Sequence, residues 1–379
     1  MSVETAFTDV RVFADGKLSS PRTLIVADGQ ITARAAPDPS AEIVPGLGLT
    51  LLPGLIDCHA HVSTIAQLQA MASHGVTTVL DMGAPQFDAT MALKNQPGLP
   101  GVLSAGRPAS GPGSMFITKM GHPASTGVAG PDDATRFVAD RIAEHSDYVK
   151  ILIEDPHVPG AKPLSGDTVA SLVVAAHAAG LLVVAHVVST ATLRTALTAG
   201  VDIVTHTPVS ADPDDELIRQ IEAHPVTIIP TLTMMDGVVQ TIGRKPVLRL
   251  LSLVVKDLRM DYRRAQATVA VFHRAGRAVL AGTDAYAESG APFRPPYGRS
   301  LHEELARLVD AGLTPAEALD GATRLAADAF GLAGRGRIAP GYRADLLLVD
   351  GDPTSDIAAT TAIAGVWIGG DRVTAATDR

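Results

Sequence analysis

Between residue 52 and about residue 285, short apolar runs alternate with segments whose apolar positions recur every three or four residues. Eight runs read as strands: Leu52–His61, Thr77–Met82, Gly101–Gly106, Tyr148–Ile153, Leu181–Val187, Val201–Thr207, Val226–Thr231 and Ala278–Asp284. Most are continuously apolar rather than alternating, as for strands covered on both faces. Thr64–His74, Asp133–Glu144, Thr168–Ala179 and Thr190–Ala199 read as helices, the third stopped by Gly180. The spacing leaves room for a helical crossover between parallel neighbours. The pattern predicts an α/β protein, a closed (β/α)8 TIM barrel, with an open doubly wound sheet as the alternative. No Gly-x-Gly-x-x-Gly follows a strand, so a dinucleotide fold has no support.

The two ends of the chain read differently. Thr23–Val26 and Gln30–Thr32 flank Ala27-Asp28-Gly29, and Val366–Ile368 and Arg372-Val373 flank Gly369-Gly370-Asp371; both are hairpin signals. Ala344–Val349 reads as another strand. Each terminal piece alone has little core. The expectation is a small β-sandwich domain built from both termini, residues 1–51 and 336–379, with the barrel, 52–335, inserted between them. Thr314-Pro315-Ala316-Glu317 combines a capping box with proline in the first turn, predicting a helix that runs to Phe330.

Composition narrows the partners. The chain has 379 residues, is 46% hydrophobic and 19% charged, and carries a net charge of −9. These values fit a globular protein and argue against nucleic acid or an anionic membrane as partner. The one cysteine, Cys58, excludes an intrachain disulfide and a Cys-rich zinc site. With no signal-peptide pattern at the start, a cytoplasmic location is expected. Ala170–Val188 is apolar enough to suggest a membrane span, but Gly180 divides it and His177 and His186 lie inside it. The expected partner is a small-molecule substrate. No heptad pattern fixes an oligomeric state, and a homo-oligomer stays open.

Histidines change the picture. His59 and His61 share one face of a strand. His186, His206 and Asp284 end the fifth, sixth and eighth strand candidates, and Lys150 lies in the fourth. Singly, His186 and His206 read as polar residues at strand ends, Asp284 as a turn residue, and Lys150 as a snorkelling side chain. In a parallel barrel, however, all six converge on one rim. A lysine among Val and Ile is costly to bury as a cation. Desolvation frees its amine, which can add carbon dioxide to give a bridging carbamate. The expectation is a binuclear centre: one metal on His59, His61 and Asp284, the other on His186 and His206, with N6-carboxylated Lys150 between them. The donors suit zinc, the first choice, and also manganese, iron or cobalt.

Pro53-Gly54-Leu55-Ile56-Asp57 before His59-x-His61, Ala318-Leu319-x-x-Ala322-Thr323 and Pro340-Gly341-Tyr342-Arg343-Ala344-Asp345-Leu346 together resemble the amidohydrolase superfamily over nearly the whole chain. Within it the chain looks most like the branch related to imidazolonepropionase, which includes prolidase-like dipeptidases and ochratoxin-type amidases. The resemblance implies a binuclear hydrolase of amide bonds in N-acyl amino acids or dipeptides. It carries metal roles onto the same six residues. A lactone or carboxylic ester hydrolase is the alternative; a mononuclear cyclic amidine hydrolase or deaminase and a non-catalytic scaffold rank lower. Lys150 argues against the mononuclear type, and His186-Val187-Val188-Ser189 lacks the acid that deaminases place three residues on. Met120-Gly121-His122 matches the branch's Gly-Gly-His stretch only in part.

Asp284 is the expected proton acceptor from the attacking hydroxide, and catalysis rests on Asp284 and Lys150. The long loop Gly111–Pro131 reads as a lid or binding segment carrying Phe116, Lys119, Met120 and His122, the last three being substrate-binding candidates. His122 is a candidate for stabilising an oxyanion. Tyr286–Tyr297, Met234 and Met235 read either as ordinary packing under the barrel helices or as an apolar mouth, with Lys119, Arg294 or Arg299 as carboxylate partners. His302 stays unassigned.

Overall fold

The computed structural model describes residues 4–83, 85–158, 160–242, 260–287 and 293–373. The first strands are β1 (Thr5–Ala14), β2 (Lys17–Leu18), β3 (Arg22–Ala27), β4 (Gln30–Ile31), β5 (Glu42–Pro45) and β6 (Leu49–Pro53). There follow β7 (Leu55–Ala60), β8 (Val76–Asp81), β9 (Gly101–Ser104), β10 (Val149–Leu152), β11 (Val183–His186), β12 (Ile203–Thr205) and β13 (Thr227–Ile229). The last are β14 (Leu346–Asp350), β15 (Ile363–Ile368) and β16 (Asp371–Arg372).

Strands from both ends of the chain meet. β6 pairs antiparallel with β14, Leu52 opposite Leu347, and parallel with β1, Arg11 opposite Thr50. Both expected hairpin turns are present: Asp28, Gly29, Gly369 and Gly370 all have positive φ, as turns matched to strand twist require. The ladder is one connected nine-stranded sheet with order β16-β15-β14-β6-β1-β3-β4, β2 and β5 pairing with β1, rather than the two separate sheets of the expected sandwich. β1 links its halves through an irregularity between Phe7 and Val10, where Asp9 takes a left-handed φ. The edge of Phe7 meets Trp367 with ring centroids 4.7 Å apart.

The middle of the chain gives two parallel sheets, β7-β8-β9 and β10-β11-β12-β13. Every residue of β7, β8 and β10 is buried, which accounts for their apolar-rich sequences and leaves Asp57, His59, Asp81 and Lys150 buried within them. The expected first strand, Leu52–His61, is divided. The chain passes from the terminal sheet to the parallel one at Gly54, where a Cβ would lie 2.3 Å from the Thr77 hydroxyl. The expected eighth strand, Ala278–Asp284, forms no ladder. Its backbone instead bridges the two sheets: Leu280 N–H donates to Ile228 O, and Cys58 N–H donates to Ala281 O. On the other side Ala109 bridges to Ile151, donating to Lys150 O and accepting from Leu152 N–H. The strands therefore do not close into a continuous barrel ladder. Asp284, at φ 56, ends the extended run.

Helices cover the strands: α1 (Ile65–Ser73), α2 (Phe87–Ala92), α3 (Met115–Thr118), α4 (Ala134–Ala143), α5 (Gly166–Ala178), α6 (Thr190–Ala199), α7 (Asp215–Ala223), α8 (Leu232–Thr241), α9 (Tyr262–Arg274), α10 (Arg299–Asp310), α11 (Pro315–Gly321) and α12 (Arg324–Ala329). Thr64, Ser165, Ser189 and Thr314 cap α1, α5, α6 and α11 through side-chain oxygens, three of them in capping boxes. The helix expected from Thr314 to Phe330 is two helices. Gly321 O accepts from Ala281 N–H and Ala322 O from Ile56 N–H, so strand backbone takes carbonyls that a continuing helix would use. Ala170–Val188 resolves into α5, Gly180 and β11, and among the described residues no helix is long and apolar enough to cross a membrane.

Candidate metal centre

His59, in β7, is buried, and its Nε2 lies 3.3 Å from Asp284 Oδ1. His61 Nε2 lies 3.0 Å from the same oxygen. His206 Nδ1 is 3.9 Å from Asp284 Oδ2, and one donor atom each from His59, His206 and Asp284 fall within 4.8 Å of one another. The His186 ring stands 4.5 Å from that of His206, which is 4.8 Å from that of His59. Lys150 Nζ, from β10, is buried and donates to Thr205 Oγ1 at 2.8 Å, and its charge acts on His59, His186 and His206. The six expected residues thus come together from strand ends far apart in sequence.

Local structure aims them. His206 sits at φ 69, past the end of β12, where its Nδ1 meets Thr231 Oγ1 at 2.7 Å. Thr231 itself has φ 48 and precedes α8, whose first N–H groups, on Leu232 and Thr233, donate to the buried Glu304 carboxylate. Asp57, wholly buried in β7, accepts from His59 N–H, Thr283 N–H and Thr283 Oγ1–H, joining the two segments that carry His59 and Asp284. Asp81 accepts from Gly83 N–H and Ser104 Oγ–H, and Gly83 O faces His61 Nδ1 at 2.7 Å. Sequence reasoning passed over Asp57, Asp81 and Glu304. For Asp57 and Asp81 the available signal was an acidic residue inside an apolar-rich run, which must find donors when buried; Glu304, in an amphipathic helix, carried none.

Electrostatics favours ligand-ready forms at His59, His186 and His206, whereas at His61 burial opposes protonation but the hydrogen bond and charge of Asp284 outweigh it and raise the group above its ordinary value. Burial lowers His59 and His186 to about 3 and His206 well below its ordinary value, leaving neutral imidazoles. Burial opposes ionisation of Asp284, but the surrounding histidines outweigh it and hold the carboxyl well below its usual range. Burial lowers Lys150 to about 7, against the pull of Asp284 and Asp81. Burial raises Asp57 to about 7, against its three donors.

The donor set fits a metal cation. His61 Nδ1 lies 2.7 Å from Gly83 O and its Nε2 3.0 Å from Asp284 Oδ1, so a cation between nitrogen and carboxylate, a proton or a metal ion in its place, satisfies both. His59 Nδ1 is buried and unpartnered while Nε2 faces the same carboxylate. A backbone carbonyl that orients a ligating imidazole is a recurrent support in metal sites.

The loop expected to cover the site does reach it. In α3, Phe116 packs edge-on against His186 at 5.5 Å. His122 is buried, its Nδ1 has no partner, and burial lowers it to about 4 with His61's charge adding to the effect. Met120 is half-buried, and Lys119 is exposed at the C-cap of α3. Met234 and Met235 lie within α8 and are buried in the core, the packing alternative. Arg299 pairs with Glu303, and Arg294 is exposed. Of the loop Tyr286–Tyr297, residues 288–292 lie outside the described residues; Tyr286 meets the His61 ring edge-on at 5.1 Å and Tyr297 Oη donates to His61 O. His302 is not at the site: it ties α10 to Thr360 and to His74 O.

Comparison with known proteins gives the family and the fold. The chain is 30% identical over 347 residues to an uncharacterized Mycobacterium tuberculosis protein, covering 87% of this chain and 86% of that one. A 102-residue stretch is 40% identical to imidazolonepropionase of Deinococcus deserti, spanning 26% of this chain and 24% of that enzyme. A Xaa-Pro dipeptidase structure superposes with a TM-score of 0.82 at 19% identity, covering 97% and 99% of the two chains. A putative prolidase from Bifidobacterium longum gives 0.81 at 24% identity, covering 98% and 94%. Ochratoxinase from A. niger gives 0.76 at 20%, covering 98% and 95%. These neighbours carry the TIM-barrel-like α/β fold with parallel sheets. A sequence profile of the amidohydrolase family matches residues 50–373, and the chain belongs to that family of hydrolases.

Proposed function

We propose that this chain hydrolyses an amide bond of a small N-acyl amino acid or dipeptide at a binuclear metal centre. The observation that carries the reading is the convergence of His59 and His61 Nε2 on one oxygen of Asp284. In this reading residues 52–335 form the (β/α)8 catalytic barrel, with its cross-sheet bridges as closing contacts, and residues 1–51 and 336–379 form the small β domain. One metal is held by His59, His61 and Asp284 and the second by His186 and His206, with zinc the first choice. Lys150, buried and among the described residues hydrogen-bonded to the Thr205 hydroxyl alone, is the residue we assign as carboxylated bridge. The dipeptidase and amidase likenesses of the fold support the substrate class.

Bound divalent metal would supply a water of lowered pKa and a Lewis acid for the scissile carbonyl. The protein supplies the rest. Asp284 Oδ2, the oxygen turned away from His59 and His61, takes the proton of the attacking water and returns it to the departing amine. His122, lowered to about 4 by burial and with Nδ1 unpartnered, is the group we assign to the carbonyl oxygen as it gains charge. Phe116 walls the site on the His186 side and excludes water there.

The test is a hydrolysis screen of metal-loaded protein against Xaa-Pro dipeptides, N-acyl amino acids and lactones. Metal-dependent release of free amino acid is expected. Turnover confined to lactones, or equal turnover after chelation, overturns the reading.

A further inference from the structure

We propose that Glu154 is a positioning residue that holds the loop carrying Phe116 and His122 over the histidine cluster. Glu154 follows β10, the strand of Lys150, by two residues and is 5% exposed. Among the described residues no cation pairs with it. Its carboxylate is satisfied instead by two backbone groups from separate segments. Oε1 accepts from Met115 N–H, the first residue of α3, at 2.7 Å. Oε2 accepts from Lys162 N–H, in the connection that leads to α5. The same two segments touch directly, since a Cβ on Gly111 would lie 1.9 Å from Lys162 O.

A buried carboxylate is costly unless donors compensate it, and charge-assisted bonds to N–H are among the stronger ones. Here that cost is spent on a cross-brace rather than on the core. The brace fixes Met115; the next residue, Phe116, presents its ring to His186 and its carbonyl to His122 N–H at 3.1 Å. Two hydrogen bonds and one peptide unit thus connect Glu154 to His122. Without the brace, α3 has four residues and no side-chain N-cap, too little to hold its own geometry.

The inference uses the hydrolase reading only for its kinetic arm. Glu154→Ala and Glu154→Gln are compared by hydrogen–deuterium exchange, metal content and kcat/KM, the last also in a His122→Ala background. Exchange of amides 115–122 is expected to rise about tenfold in Glu154→Ala, the factor for losing one charge-assisted bond, with Glu154→Gln between it and the parent. Exchange in β10 and β11 and bound metal stay unchanged. With a hydrolysed substrate in hand, kcat/KM falls about tenfold in the parent and by less than about twofold in His122→Ala, because residues acting as one unit are non-additive. Unchanged exchange at 115–122, exchange raised equally across the barrel, or an equal kinetic loss in both backgrounds overturns the proposal. If no substrate is turned over, the exchange arm still decides it.

Discussion

His61 Nε2 lies 3.0 Å from Asp284 Oδ1, a contact that joins residues 223 positions apart. Asp284→Asn keeps the shape and can donate its amide N–H to that nitrogen, so folding should survive. In our reading it removes the proton acceptor and one unit of ligand charge. The expected result is a fall in kcat of about 10²- to 10⁴-fold with a near-parental melting temperature. Steady-state kinetics with a melting curve checks this; an Asn variant that keeps a tenth of parental turnover excludes the base role.

Lys150 is the residue on which the second metal depends in our reading. Lys150→Ala should lower bound metal from two ions per chain to one and abolish the carbamate carbon signal seen by NMR after loading with labelled bicarbonate. Elemental analysis of the purified variant is the direct measurement. Two ions and full activity in Lys150→Ala would rule out a bridge.

Gly282 is where the bridging segment presses on the strand of His59. A Cβ there would lie 2.4 Å from Ile229 Cγ2 and 2.8 Å from His59 N. The neighbours are backbone and a β-branched side chain, so they yield little. Gly282→Ala is expected to cost about 1–3 kcal/mol of stability by overpacking and to weaken metal binding as His59 shifts. Urea unfolding paired with a chelator competition titration tests both, and a variant as stable as the parent contradicts the close approach.

His302 supplies a pH dependence away from the cluster. Burial holds it at about 4, below its ordinary 6.5, and its two nitrogens meet Thr360 Oγ1 and His74 O. The unfolded chain therefore takes a proton where the folded one does not. The stability tied to this group is present above pH 6.5 and drains away as the pH falls toward 4. Between pH 7 and pH 5 that amounts to about 2 kcal/mol. His302→Asn should shrink the difference in unfolding free energy between those two pH values by that much; an unchanged difference refutes it.

Much of the architecture was legible because it is periodic. Apolar-rich runs marked β7, β8, β10 and β11, and the capping pair Thr314/Glu317 marked the start of α11. The candidate histidines were legible because they stand at or just past strand ends, which a parallel sheet brings to one side, and Lys150 because it is a cation within a buried strand. What escaped is set by long-range contact. The break after Gly321 comes from carbonyls given to Ala281 and Ile56, and the division at Gly54 from the bulk of Thr77. The buried carboxylates of Asp57, Asp81, Glu154 and Glu304 have partners as remote as Thr283, and no local pattern announces such pairings. His302 sits in an amphipathic helix that could have turned it either way.

The sheet woven from both ends of the chain has a consequence for biosynthesis. Thr50 donates to Gly351 O, 301 residues downstream, and Arg11 reaches the same carbonyl. At about 5–20 residues per second, a ribosome delivers that partner roughly a quarter of a minute to a minute later. During that interval Leu51 and Leu52 lack their neighbours on β14, and nascent β6 is an unpaired apolar edge. The first-made segment is thus among the last to be finished, and its exposure time is fixed by the length of the enzyme inserted between the two halves.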